Sequence, residues 1–139
     1  MLFRSDLDMA WAVSLKKPFS FIGKRSFKRS DTARSDRKQL VGLLTDDPEV
    51  VLKEGAQIIE SGDARPPVPM LGHVTSSYFS PELGRSIAMA VVRDGISRRS
   101  EAGVKAGRDV LYAWAGGKSH KVKVVSPVFI DPDGARQNV

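Results

Sequence analysis

Apolar and polar positions alternate most regularly between residues 86 and 92. Ile87, Met89 and Val91 fall on one side of an extended chain, and Ser86, Ala88 and Ala90 on the other. The pattern predicts a strand buried on one face and closely approached on the other. A second strand-like run, Gly72-His-Val-Thr-Ser-Ser-Tyr-Phe79, precedes it. Between them Ser80 can cap a helical turn with its hydroxyl, Pro81 suits the first position of that turn, and Gly84 can close it with positive φ. The same texture continues from Arg37 onward and predicts strands at about 37–44, 56–61, 71–79, 86–93, 108–115 and 119–128.

Turn chemistry separates these runs. Thr45-Asp-Asp-Pro48 breaks the first, and Gly62-Asp-Ala-Arg-Pro-Pro-Val-Pro69 reads as a stiff loop, because proline cannot join a ladder. Residues 94–107 read as a long basic loop. Gly116-Gly117 joins the last two strands as a tight hairpin, since both glycines reach positive φ without strain. Strands at this spacing with no long helix predict a mainly β fold: a six-stranded antiparallel barrel of Greek-key or jelly-roll type. In front of it, residues 21–27 read as a short basic helix anchored by Phe21 or Ile22 and by Phe27. Residues 1–36 are therefore expected to form an N-terminal basic segment and linker, and residues 37–139 the barrel.

Composition narrows the chemistry. The 139 residues include no cysteine, which excludes disulfides, thiol catalysis and zinc fingers. No apolar run approaches the length of a membrane span, and no signal-peptide pattern opens the chain, so a cytoplasmic location is the default expectation. The net charge of +6 is unevenly placed. Residues 1–38 hold ten Lys or Arg and four Asp, whereas the remainder holds twelve of each sign. A basic arm on a neutral barrel suits either nucleic acid or a solvated linker.

Few residues suggest catalysis. His73 and His120 are the two histidines, without an acid–His helical pair, and no metal site is expected. Thr75, Ser76 and Ser77 form a hydroxyl cluster without a recognisable base, so no catalytic residue is assigned. Gly103-x-x-x-Gly107 lacks the features of a phosphate loop. Trp11, Phe19, Phe21 and Phe27 lie among cations, as base-stacking aromatics would, and also as amphipathic packing would. Arg93, Arg98, Arg99, Lys105 and Arg108 are offset by Asp94, Glu101 and Asp109, a weak phosphate groove. Near the end, Asp131-Pro-Asp-Gly134 makes a turn that aims Arg136, whose planar fork suits a carboxylate.

Several of these segments together resemble the C-terminal part of the aminomethyltransferase (glycine-cleavage T-protein) family. They are Phe21-Ile-Gly-Lys24, Leu40-Val-Gly-Leu43, Glu54-Gly55 and Gly72-x-Val-Thr-Ser-x-x-x-Ser-Pro-x-Leu83, followed by Ile87-Ala-Met89. Gly72-His-Val-Thr-Ser-Ser-Tyr78, Leu83-Gly-Arg-Ser-Ile-Ala88 and the ending Asp131-Pro-Asp-Gly-Ala-Arg-Gln-Asn-Val139 are most similar to one branch, the end of the α subunit of heterotetrameric sarcosine oxidases. The chain departs from the family pattern at Asp8-Met-Ala-Trp11, where Gly-x-Gly-Trp is usual, and at Pro18-Phe-Ser-Phe21, where Pro-Asp-Phe is usual.

The resemblance implies a role linked to tetrahydrofolate. In that family branch sarcosine is oxidatively demethylated, the one-carbon unit is trapped as 5,10-methylenetetrahydrofolate, and hydrogen peroxide forms at a flavin. It implies that the barrel closes one side of a ring of domains around the folate, as a lid. It places the nucleotide-binding region and most folate contacts ahead of this segment, FMN at the interface with a β subunit, and FAD on that subunit. Residues 1–36 would then be the remnant of a preceding folate-binding domain, and Arg136 the match to a C-terminal residue that reaches the folate. The expectation is a truncated or split α-subunit barrel without activity alone, binding no cofactor tightly by itself, and partnered by other sarcosine oxidase segments or subunits. Two other classes stand beside it: a protein-interaction barrel that self-associates or docks a partner, and a basic-arm nucleic-acid binder.

Overall fold

The computed structural model describes residues 4–63, 65 and 67–137. Ala64 and Pro66 of the expected stiff loop, and Asn138 and Val139 at the end of the resemblance, lie outside them. Among the described residues six strands form: β1 (Lys38–Thr45), β2 (Gln57–Ile59), β3 (Gly72–Ser80), β4 (Arg85–Arg93), β5 (Val110–Ala115) and β6 (Lys118–Val125). They close into a barrel in the order β1-β4-β3-β2-β5-β6, and β6 returns to β1. Every pairing is antiparallel. Strands β2, β3 and β4 form a meander, and β1 lies beside β4, which is a Greek key.

The interior is filled by one residue in two along each strand. Val41, Leu43, Ile58, Val74, Val92, Leu111, Val122 and Val124 are all fully buried there. On β4 the small residues point inward: Ser86, Ala88 and Ala90 are buried, and Val92 with them. The larger Ile87 and Met89 face outward, and Met89 is 37% exposed. A six-stranded barrel has a narrow bore, so small inward side chains leave room for the branched residues of the facing strands. Strand β3 bends at an extra residue: Val74 opposes Ala90 and Ser76 opposes Met89, leaving Thr75 bulged between them.

The hairpin at Gly116 and Gly117 forms with φ of +56° and +79°, both closed to ordinary side chains. The turn from Pro81 to Gly84 also forms: the Leu83 amide donates to Ser80 Oγ at 3.4 Å, and the Gly84 amide to the Pro81 carbonyl at 3.3 Å.

Residues 94–107 differ from the expected loop. They hold two five-residue helices, α1 (Gly95–Arg99) and α2 (Glu101–Lys105). Ser100 separates them and caps the second, its Oγ accepting from the Gly103 amide at 3.1 Å. Gly103 permits their close approach, because a Cβ there would stand 2.3 Å from the Ser97 carbonyl. Helices this short carry no periodic signal.

The N-terminal arm is a chain of short 3-10 turns at Arg4–Leu7, Ala10–Ala12 and Lys24–Lys28. The last overlaps the expected basic helix. Phe21 and Phe27 are half-buried there, whereas Ile22 is fully exposed and anchors nothing.

Candidate functional site

Because side chains fill the bore, any ligand or partner must be met on the outer surface. One outer face is continuous across β1, β4 and β3. Leu40, Val91 and His73 form one row across the three strands; Gly42, Met89 and Ser76 form the next; Leu44, Ile87 and Tyr78 form a third. Tyr78 is 65% exposed, and the neighbouring Phe79 and Leu83 are exposed as well.

The chain's end crosses this face. A Cβ on Gly42 would stand 2.3 Å from the Ser126 carbonyl and 2.8 Å from the Phe129 ring, so the segment after β6 lies directly on β1 at that glycine. The turn expected at Asp131–Gly134 follows. Asp131 takes φ of 48°, its carbonyl accepts from the Gly134 amide at 3.1 Å, and its carboxylate accepts from the Arg136 amide at 3.1 Å. Arg136 is thereby aimed at the β3–β4 turn, where its guanidinium donates to Glu82 Oε1 at 2.9 Å. Both side chains are more than half exposed. Such a pair is worth less than about 1 kcal/mol, so the guanidinium is free to exchange Glu82 for another carboxylate.

The opposite end of the face carries the junction with the arm. Arg37 donates to Asp6 at 2.8 to 3.1 Å and to Asp31 Oδ2 at 2.8 Å. Hydrogen bonding to Asp6 comes first among the causes that raise the Arg37 pKa above the ordinary arginine value. Nearby, Arg34 forms a two-pronged bridge to Asp36 at 2.8 and 2.7 Å, and that bridge lowers the Asp36 pKa. A second tie joins Arg99 of α1 to Asp8 of the arm at 2.5 Å.

Several of the remaining sequence candidates make contacts within the fold. Thr75 Oγ1 donates to the Met89 carbonyl at 3.0 Å, and Ser77 Oγ donates to the Ile87 carbonyl at 3.3 Å while accepting from the Leu52 amide at 3.0 Å. These hydroxyls stitch strands together. His73 sits half-buried on β3, and His120 is half-buried on β6 opposite Ala113. Of the loop cations, Arg108 lies 3.6 Å from Asp94, and Lys105 lies 2.5 Å from Glu101. Phe21 is flanked by Lys17 and Lys24 at 5.7 and 5.6 Å from its ring centre.

Sequence reasoning grouped Arg98 with the loop cations and missed its buried role. It is 4% exposed, spans to Glu60 with two hydrogen bonds at 3.2 and 3.0 Å, and donates to the carbonyls of Arg93 and Arg108 at 3.1 and 3.0 Å. Nothing local distinguishes it from Arg99, because its partners come from distant segments.

Fold and surface together define a closed Greek-key barrel whose candidate site is an outer face strapped by the chain's C-terminal segment. Residues 38–131 match the glycine cleavage T-protein C-terminal barrel domain, and the chain belongs to that family. Over 135 residues, 96% of its length, it is 41% identical to sarcosine oxidase subunit alpha of Corynebacterium sp. (strain P-1). It is 37% identical over 137 residues to sarcosine oxidase subunit alpha of Rhizobium meliloti (strain 1021). The chain spans 13% of the length of each of those relatives. The crystal structure of glycine cleavage system aminomethyltransferase T from Bartonella henselae shares the fold, with a TM-score of 0.64 at 23% identity over 91% of this chain and 32% of that one. No helix among the described residues is long and apolar enough to cross a membrane.

Proposed function

We propose that this barrel serves as the folate-side lid of a sarcosine oxidase α-subunit assembly, with no sarcosine-oxidising activity of its own. In this reading tetrahydrofolate is held mainly by other segments or subunits, and the barrel covers one side of it during formation of 5,10-methylenetetrahydrofolate. Residues 1–36 belong to the end of the preceding folate-binding unit. The flavin chemistry lies elsewhere in the assembly.

The observation that carries the reading is the outer face of β1, β4 and β3, exposed at Tyr78 and Met89 and ending at Arg136, in a chain that aligns over 96% of its length with a sarcosine oxidase α subunit. Folate brings carboxylates on its glutamate tail. Arg136 fits that group: its guanidinium is exposed and already engages a carboxylate, that of Glu82. When bound, folate would supply the acceptor for the one-carbon unit, while Arg136 would position the cofactor by its tail. The filled bore supports weak binding by the barrel alone, because a single outer wall buries too little of a ligand.

Titration of the purified chain with a tetrahydrofolate polyglutamate tests this, together with a sarcosine oxidation assay. Weak or undetectable folate binding and no peroxide production are expected from the chain alone. Mixing it with a polypeptide that carries the remaining α-subunit segments should restore tight folate binding, and Arg136→Ala should weaken it. Sarcosine oxidation by the isolated chain would overturn the reading.

Exposed Tyr78 and Met89 on the same face, with exposed Phe79 and Leu83 at its β3–β4 end, favour a second reading, a docking module that self-associates. Sedimentation across a range of concentrations separates the two; a strict monomer counts against self-association.

A further inference from the structure

We propose that the cleft between the N-terminal arm and the end of the β1–β4–β3 face binds a small, doubly charged oxyanion of the phosphate class. Lys38 and Arg93 are direct partners across the β1–β4 ladder. Like charges directly opposite one another destabilise a sheet, so this pair is a cost the fold carries. Both side chains line a single cleft of ≈ 350 Å³, and His73 lines it with them. The cleft also holds Arg34, Arg37, Asp31 and Asp36, four cations against two acids.

Those two acids are already engaged. Asp36 accepts both prongs of Arg34, and Asp31 accepts from Arg37 at 2.8 Å. Arg37 in turn is bound to Asp6. Among the described residues, neither Lys38 nor Arg93 makes a side-chain hydrogen bond or an ion pair; Arg93 contributes only its field to Asp36. The excess positive charge therefore falls on Lys38 and Arg93, next to an imidazole that can donate an N–H.

That trio has the chemistry of an oxyanion cradle. Arginine offers a planar fork, lysine offers rotatable donors on a point charge, and charge-assisted bonds to both gain strength with each negative charge on the ligand. A dianion between them would turn the cross-strand repulsion into two attractions. The cleft accommodates free phosphate and a phosphate monoester alike. The inference is independent of the folate reading, since it concerns the opposite end of the face from Arg136.

The test is an amide-resolved NMR titration of the full chain at low ionic strength with inorganic phosphate, glycerol phosphate and acetate. Saturable shifts are expected at Lys38, His73 and Arg93 with phosphate or its monoester, about tenfold tighter than with acetate. The tighter of the two phosphates identifies the source of the group. Arg93→Gln and Lys38→Gln should each weaken binding about tenfold. In phosphate-free buffer each variant should melt no lower than the parent, because it relieves the repulsion, and phosphate should raise the parent's melting temperature more than the variant's. Absence of saturable shifts, equal affinity for acetate, unchanged affinity in both variants, or a fall in phosphate-free melting temperature in both would overturn the proposal.

Discussion

Phe129 occupies the space that a side chain at Gly42 would need: its ring lies 2.8 Å from the position of a Cβ there, and the Ser126 carbonyl lies 2.3 Å from it. The bare backbone of β1 is thus the seat of the C-terminal strap that carries Arg136. A carbonyl in a strap held at both ends cannot yield as a flexible side-chain tip can. Gly42→Ala should therefore cost about 1–3 kcal/mol, the usual range for overpacking, and lower the melting temperature measurably. Amide exchange should accelerate over residues 126–136 more than in the barrel interior. Unchanged exchange there would show that the strap is not seated on Gly42.

The Asp6–Arg37 pair ties the arm to the barrel across a separation of 31 residues, with both side chains at least nine-tenths buried. Removing the Asp6 charge takes the largest share of pairing from a guanidinium buried away from water, and leaves the exposed Asp31 carboxylate to hold it. Asp6→Asn should weaken docking of the arm by about 1–3 kcal/mol, less than a charge left wholly unpaired would cost, because Asp31 still accepts from Arg37. Limited proteolysis should then cut within residues 9–30 while the barrel stays resistant. The raised pKa of Arg37 adds no pH dependence near neutrality: a cation whose folded value lies above its unfolded value contributes fully below the latter, and the contribution is lost only in strong alkali.

The barrel was legible because its signals are local. The β4 alternation, the Ser80–Gly84 turn and the Gly116-Gly117 hairpin each lie within a few residues, and each specifies backbone geometry by itself. The direction of β4 was less so: alternation separates two faces, but only the bore's narrowness decides that Ala88 and Ala90 go in and Met89 goes out. Helices α1 and α2 escaped because five residues cannot display a helical period. Arg136 was legible as a turn-aimed guanidinium, but the partners of Arg136 and Arg98 escaped for a different reason. Arg136 meets Glu82 across 54 positions and Arg98 meets Glu60 across 38, so their roles exist only once the strands are paired.

Arg34 and Asp36 supply a direct electrostatic check. The hydrogen bond from Arg34 comes first among the causes that hold the Asp36 carboxyl below the usual aspartate value. A lowered folded value means that the bridge contributes above the unfolded Asp pKa and is lost as pH falls through the lowered one. Carbon-detected titration of Asp36 should give a midpoint below the usual aspartate value, and Arg34→Gln should raise it. Because both groups are solvent-exposed, the melting temperature should scarcely change. A midpoint for Asp36 at the usual aspartate value in the parent would contradict the bridge.

Arg98 is the structural keystone of the α1–α2 crossover that carries the chain from β4 to β5. Its guanidinium joins four elements at once: the end of β4 through the Arg93 carbonyl, the Arg108 carbonyl ahead of β5, the segment after β2 through Glu60, and α1 itself. Those bonds need a planar fork with several donors, which lysine lacks. Arg98→Lys should therefore behave almost as badly as Arg98→Met, each costing about 3 kcal/mol. Glu60 is 61% exposed at its side chain, so Glu60→Gln leaves a solvated acceptor and should cost less than about 1 kcal/mol. Urea unfolding of the three variants reads the order directly. Equal losses for Arg98→Lys and Glu60→Gln would mean that the ion pair, rather than the carbonyl contacts, holds the crossover in place.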